Sequence, residues 1–171
     1  VEAAGVSVVR IVPAGLALRD AFRFNYPEVT ASVLLVDGGA RSSTLLFIEG
    51  ERFSLRTVAS AGNAVTEAIA EELKLGFAVA EALKCDVSSG RSTPPDTAPG
   101  REAVRRAGEQ FAGRLWLEIK RTAANLQRQA TLAPPTAIYL TGGNALLSGL
   151  ASALAEKSKL PVESYDPFRR V

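Results

Sequence analysis

The chain has 171 residues, of which 47% are hydrophobic and 22% charged, enough for one well-filled core and not the composition of a disordered polymer. Its 20 basic and 18 acidic residues leave a net charge of +2, which excludes the broad positive field of a nucleic-acid binder. With no histidine and a single cysteine, Cys85, it holds no Ser-His or Cys-His nucleophile pair, no zinc ligand set and no internal disulfide.

In chain order, residues 6–12 (VSVVRIV) are β-branched and continuous, which predicts a buried strand. Pro13 then suits the first turn of a helix reaching about Phe24. After a break around Pro27, residues 32–37, 43–49 and 52–59 read as three short strands. Glu49-Gly50-Glu51 is the tight turn of an antiparallel meander. Asn63 is the expected N-cap of a helix that carries Val65, Ile69 and Leu73 at helical spacing and stops at Leu75-Gly76. A shorter helix follows over residues 78–84. Residues 86–100 have almost no apolar content, with Pro94, Pro95 and Pro99 among small polar residues, and predict a mobile loop without chemistry.

Residues 101–130 place Val104, Ala107, Phe111, Leu115, Ile119, Ala123 and Leu126 at three-four spacing, one long amphipathic helix. Its arginine-rich outer face, interspersed with Glu102, Glu109 and Glu118, reads as a solvated, ion-paired surface rather than an anion site. Pro134-Pro135 ends it. A strand at 137–140, a helix at 146–155 and a last short strand at 161–163 complete the chain, with no internal repeat.

No run approaches the roughly 18–20 apolar residues of a membrane-spanning helix, so direct insertion is not expected. A lone cysteine fits a reducing compartment, which makes the cytoplasm the expected location. The chain contains no methionine and opens on Val1 directly before structured sequence, and it reads as a piece of a longer protein.

Chemistry concentrates at two glycine turns, Val36-Asp37-Gly38-Gly39 and Leu140-Thr141-Gly142-Gly143, each closing an apolar run. Glycine lets main-chain N–H groups approach a bulky ligand closely, and a nucleotide is the usual reason for two such turns. Asp37, with Gly38, Gly39 and the hydroxyls of Ser42 and Ser43, suits a phosphate tail and, through water, its Mg²⁺; the plainer reading is a β-turn whose aspartate caps its own backbone. Gly142, Gly143 and Asn144 present N–H groups and the positive end of a helix to a polar ligand; the plainer reading is a tight strand-to-helix connection with Asn144 as N-cap. Glu81 and Lys84 share a helix face and suit ribose and base contacts; the plainer reading is an intrahelical ion pair.

Taken in order, the DGG turn and its hairpin, SAGNAVTEAIAEEL, AEALK, the long helix and YLTGGNALLSGLASAL resemble the second half of an actin-like ATPase. The resemblance is strongest to the bacterial group of the cell-division protein FtsA and the type IV pilus assembly protein PilM. AGNAVTEAIAEELKLGFAVAEALK and the terminal LPVESYDPFRRV look like PilM segments. It covers residues 1–85 and 101–171. It implies an α/β fold of the actin-like, ribonuclease H-like class: residues 1–25 as the last strand and linking helix of a truncated first domain, and 26–171 as the second nucleotide-binding domain. By resemblance Asp37, Gly38, Gly39 and Ser42 fall on the second phosphate loop, Glu81 and Lys84 on the ribose and adenine contacts, and Gly142, Gly143 and Asn144 on the adenosine loop, with ATP and Mg²⁺ as cofactors.

The resemblance implies a cytoplasmic scaffold of the inner-membrane pilus platform, held there by the cytoplasmic tail of a PilN-like membrane-anchored protein. Where FtsA-like loops continue with further glycines and threonines, Ala40-Arg41-Ser42-Ser43 follows here. Arg41 crowds the β- and γ-phosphates unless it turns outward, so at most a weak ATPase is implied for the whole protein and none for this stretch alone. A nucleotide-free scaffold of a pilus or type II secretion system is the rival expectation. A small-molecule kinase of the same superfamily lacks a candidate base and sugar-binding insert. The apolar 6–12 segment is expected to be displaced or buried in a neighbouring copy, a route to self-association.

Overall fold

The computed structural model describes residues 2–91, 97–129 and 131–170. Five strands form one mixed sheet: β1 (Val33–Gly38), β2 (Ser43–Glu49), β3 (Arg52–Val58), β4 (Ile138–Thr141) and β5 (Val162–Ser164), in the order β3-β2-β1-β4-β5. The expected meander is present, with β1/β2 and β2/β3 antiparallel, while β4 adds to β1 in parallel and β5 to β4 in parallel. The helices are α1 (Ala14–Asn25), α2 (Gly62–Leu73), α3 (Phe77–Ser88), α4 (Ala98–Arg128) and α5 (Leu150–Ser158).

β1 lies at the centre and is covered on both faces, which is why it reads as an unbroken apolar run rather than an alternating one. Leu34 and Val36 face the larger core, with Phe111, Leu115 and Ile119 of α4 and Val65 and Ile69 of α2. Val33 and Leu35 face a smaller aromatic core in which Phe22 of α1 stacks on Tyr26 and meets Tyr139 edge-on, both at 5.0 Å between ring centres. The terminal segment is tied to the same helix: the buried Asn25 side chain donates to Pro167 O at 3.0 Å, and Asp166 N–H donates to the Tyr26 hydroxyl at 3.0 Å. Helix α1 thus packs as part of this sheet's second layer.

Four sequence expectations are corrected. Residues 6–12 form no strand and stand exposed, Val9 at 95% and Ile11 at 89%, because a strand needs a neighbouring edge and none of the described strands pairs with them. The expected loop over 86–100 is shorter at both ends. Helix α3 continues through Ser88, with Val87 against the core, and α4 starts at Ala98, where the Thr97 side chain accepts the Gly100 N–H at 3.2 Å. Residues 92–96 of that expected loop lie outside the described residues.

Helix α2 begins at Gly62 with Ala61 as its N-cap, not Asn63. Its first N–H groups are capped from outside the helix, by Gly39 O (to Gly62 N–H, 3.0 Å) and Ala40 O (to Asn63 N–H, 2.8 Å). The helix expected over 146–155 is split into a 3-10 turn, Gly143–Leu146, and α5, which starts at Leu150. Gly149 takes a φ of +82° between them, and Ser148 O presses against Gly108 of α4, so close packing on α4 breaks the helix.

Candidate functional site

Parallel pairing of β1 with β4 sets Asp37 opposite Thr141, so the two glycine turns leave the C-terminal ends of these neighbouring strands side by side. They touch. Gly142 has φ 78° and ψ 174°, a region essentially confined to glycine. A methyl group there would collide with Asp37 Oδ1 and lie 2.7 Å from Gly38 O. Asp37 is half-buried, Gly142 and Gly143 are exposed, and nothing lies within 4 Å of where a Gly143 side chain would start. The first turn is closed by Gly39 N–H donating to Ser42 O at 3.1 Å. Ser42 and Arg41 are exposed, whereas the buried Ser43 hydroxyl donates to Ser60 O at 2.6 Å and so serves the loop rather than a ligand.

Glu81 and Lys84 form the ion pair that their spacing predicts, Nζ to Oε2 at 2.7 Å, but it is no surface pair. Lys84 is 7% exposed, and its ammonium also donates to Thr66 Oγ1 at 2.8 Å and Gly62 O at 3.3 Å. The Thr66 hydroxyl donates in turn to Glu81. Burial opposes ionisation of Glu81, yet the hydrogen bonds from Lys84 and Thr66 and the Lys84 charge outweigh it and hold the carboxyl below its ordinary value. Burial, with the Glu81 charge beside it, pushes the neighbouring Cys85 thiol up.

Asn144 is neither an N-cap nor a surface contact. It is buried, and its Nδ2 donates to Gly39 O at 2.9 Å. Since only a four-residue 3-10 turn starts at Gly143, the expectation that an α-helix dipole points out of this turn is also corrected. Lys84, Ser88, Gly143, Asn144, Leu146 and Leu147 line a cleft of about 190 Å³ beside the second turn. Larger hollows, of about 440 Å³ beside the C-terminal end of α1 and about 530 Å³ against α4, contain none of the predicted site residues.

The fold therefore gathers Asp37, Gly38, Gly39, Glu81, Lys84, Gly142, Gly143 and Asn144 around the C-terminal ends of β1 and β4, with Ser42 at the outer rim. Gly62 and Thr66 belong to this cluster as well. The signal for them was present, a glycine ahead of a helix and a hydroxyl one turn later on the same face, but nothing in the spacing says that Lys84 reaches back to both. On the arginine-rich face of α4, Arg105 pairs with Glu102 and Glu109, Arg106 with Glu102 and with Glu72 of α2, and Arg121 with Glu118.

No protein-family model matches the chain. It is 27% identical over 181 residues to the cell division protein FtsA of Streptococcus pneumoniae serotype 2 (strain D39 / NCTC 7466), covering 98% of this chain and 39% of FtsA. Among solved structures it is similar to the PilM-PilN type IV pilus biogenesis complex, with a TM-score of 0.71 and 26% identity over 97% of this chain and 45% of that one. It also superposes on MreB5 of Spiroplasma citri bound to ADP, with a TM-score of 0.62 and 16% identity over 98% of this chain and 58% of that one. The last likeness is one of fold alone. The chain spans less than half the length of FtsA and of the pilus protein.

Proposed function

We propose that this chain, an actin-like ATPase by its fold and its similarity to PilM and FtsA, is the second nucleotide-binding domain of a PilM-like scaffold for type IV pilus assembly. The observation that carries the reading is the meeting of the two glycine turns, Asp37 against Gly142, at the C-terminal ends of β1 and β4 beside the cleft of Lys84, Gly143 and Leu146. On this reading residues 1–25 lead in from a first domain: α1 is the linking helix, packed on this sheet, and the exposed 6–12 segment, which is no strand here, becomes the last strand of that domain's sheet or is covered by a second copy.

The residues present fit ATP. Exposed Gly142 and Gly143 leave room for a nucleoside at the cleft, and the Asp37 turn presents backbone and a carboxylate where the phosphates would lie. Asp37, Gly38, Gly39 and Ser42 take the phosphate side and Glu81, Lys84, Gly142 and Gly143 the ribose and adenine side, with Asn144 buried behind the two turns rather than on the ligand. One carboxylate matches Mg²⁺ held chiefly by water and phosphate oxygens. Bound ATP supplies a charged triphosphate whose contacts on both sides of the cleft make its closure depend on occupancy. Arg41 is exposed, which leaves the phosphate side open to binding. Hydrolysis requires groups from the facing domain as well.

The partner on this reading is the cytoplasmic tail of a PilN-like membrane protein, which places the scaffold in the cytoplasm at the inner membrane; no described helix is long and apolar enough to cross a membrane. A nucleotide-free scaffold of a pilus or type II secretion system is the second reading. It is favoured by Lys84, whose ammonium is engaged by Glu81, Thr66 and Gly62 within the domain.

Calorimetric titration of Mg-ATP into the full-length protein separates the two. The variants are Glu81→Ala with Lys84→Ala, and Gly143→Val, which fills the cleft mouth without touching the core. Saturable binding lost in both supports the ATP-operated scaffold. Absence of heat with the unaltered protein moves it to the nucleotide-free class.

A further inference from the structure

Asn144 sits where its own turn meets two other backbone segments, the Gly38-Gly39 turn and the start of α2, and its side chain touches both. Its Nδ2 donates to Gly39 O at 2.9 Å. A methyl group at Gly38 would lie 2.8 Å from Asn144 Cβ, and one at Gly62 would lie 2.5 Å from Asn144 Oδ1 and 3.0 Å from Nδ2. Neither Gly38 nor Gly62 has a positive φ, so backbone conformation does not demand glycine at either position; the Asn144 side chain does. Gly39 O also accepts the Gly62 N–H at 3.0 Å, and Gly62 O accepts from Lys84 at 3.3 Å. A continuous set of contacts therefore runs from the first glycine turn, through Asn144 and the start of α2, to the buried lysine of the cleft. At 6% exposure, Asn144 has almost no surface left for a ligand.

We propose that Asn144 is a positioning residue: it locks the 37–42 turn against the second glycine turn, so that nucleotide phosphates meet a backbone already held in place. This rests on the nucleotide reading above but assigns Asn144 a different task from the adenosine contact that its place in the motif implies. Gly38 and Gly62 are then the two receptors of one clasp. Their lack of side chains serves Asn144 rather than the ligand.

The test compares adenosine with Mg-ADP on the full-length protein, by displacement of a fluorescent nucleotide. With Asn144→Ala, Mg-ADP affinity should fall about tenfold, the usual consequence of losing one buried hydrogen bond, while adenosine affinity stays within about twofold. Parallel loss of both ligands makes Asn144 a ligand contact and overturns the proposal. So does a lowered melting temperature with both affinities intact, which makes it mere packing. No binding of either ligand to the unaltered protein defeats the nucleotide reading itself, a result distinct from both. A second measurement examines the clasp without ligand. Gly62→Ala should lower the urea midpoint in the wild-type background and be nearly silent alongside Asn144→Ala, because the three atoms nearest the added methyl are then gone. Equal cost in both backgrounds overturns the clasp.

Discussion

Gly142 and Gly143 are adjacent and interchangeable by eye, yet replacing each with alanine should have opposite outcomes. At Gly142 the backbone occupies a region that costs a side-chain-bearing residue about 1–3 kcal/mol. The new methyl would meet Asp37 Oδ1 and Gly38 O, and such overpacking against backbone costs a further ~1–3 kcal/mol. The sum, about 2–6 kcal/mol, is a large part of the roughly 5–15 kcal/mol that holds a domain together. It corresponds to a melting temperature lowered by roughly 5–20 °C. At Gly143 φ is not positive and no atom lies within 4 Å of the added group, so Gly143→Ala should stay within about 0.5 kcal/mol of the parent. Urea and thermal unfolding followed by circular dichroism measure both. A Gly142→Ala loss under about 1 kcal/mol, or equal losses at the two positions, refutes the argument that the two turns touch.

The remaining expectations reach other parts of the fold. Phe22→Ala removes the 1%-exposed centre of the aromatic cluster and should cost about 3–5 kcal/mol; hydrogen exchange should accelerate across residues 14–25, and unchanged protection there would mean that α1 is held by something else. Gly108→Ala drives a methyl into Ser148 O and should cost about 1–3 kcal/mol by urea unfolding, a silent change being the contrary result. For Glu81 the folded carboxyl titrates below the ordinary value of 4.5, so its stabilising pairing is complete above that value and is lost as pH falls through the lower folded one. The urea-midpoint gap between the parent and Glu81→Gln should therefore be present at neutral pH and close in acid. A gap that does not change with pH would show that Glu81 acts by packing and not by charge.

Whatever depends on local spacing was legible in the sequence. Leu45 and Phe47 alternate with Leu46 and Ile48 along one strand, and Val104, Phe111 and Leu115 recur at helical intervals, because side-chain direction along a strand or helix is set by the backbone repeat alone. The two glycine turns were equally plain as the ends of apolar runs. Residues 6–12 misled for the same reason: their β-branched pattern states a preference for strand, but a strand exists only when another edge accepts its hydrogen bonds.

The helix expected after the second turn failed where Gly149 and Ser148 press on α4, a contact invisible to a window of neighbours. Local pattern likewise gave no hint that Lys84 turns inward to Thr66 and Gly62, or that Asn144 explains Gly38 and Gly62. These contacts join residues far apart in the chain, and only the parallel pairing of β1 with β4 brings Asp37 to Gly142. Sequence alone determined the core strands and helices of regular spacing and where the two glycine turns lie. Which turns meet, and which side chain stands between them, was decided by tertiary packing, because only there do distant segments exclude one another's volume and satisfy one another's hydrogen bonds.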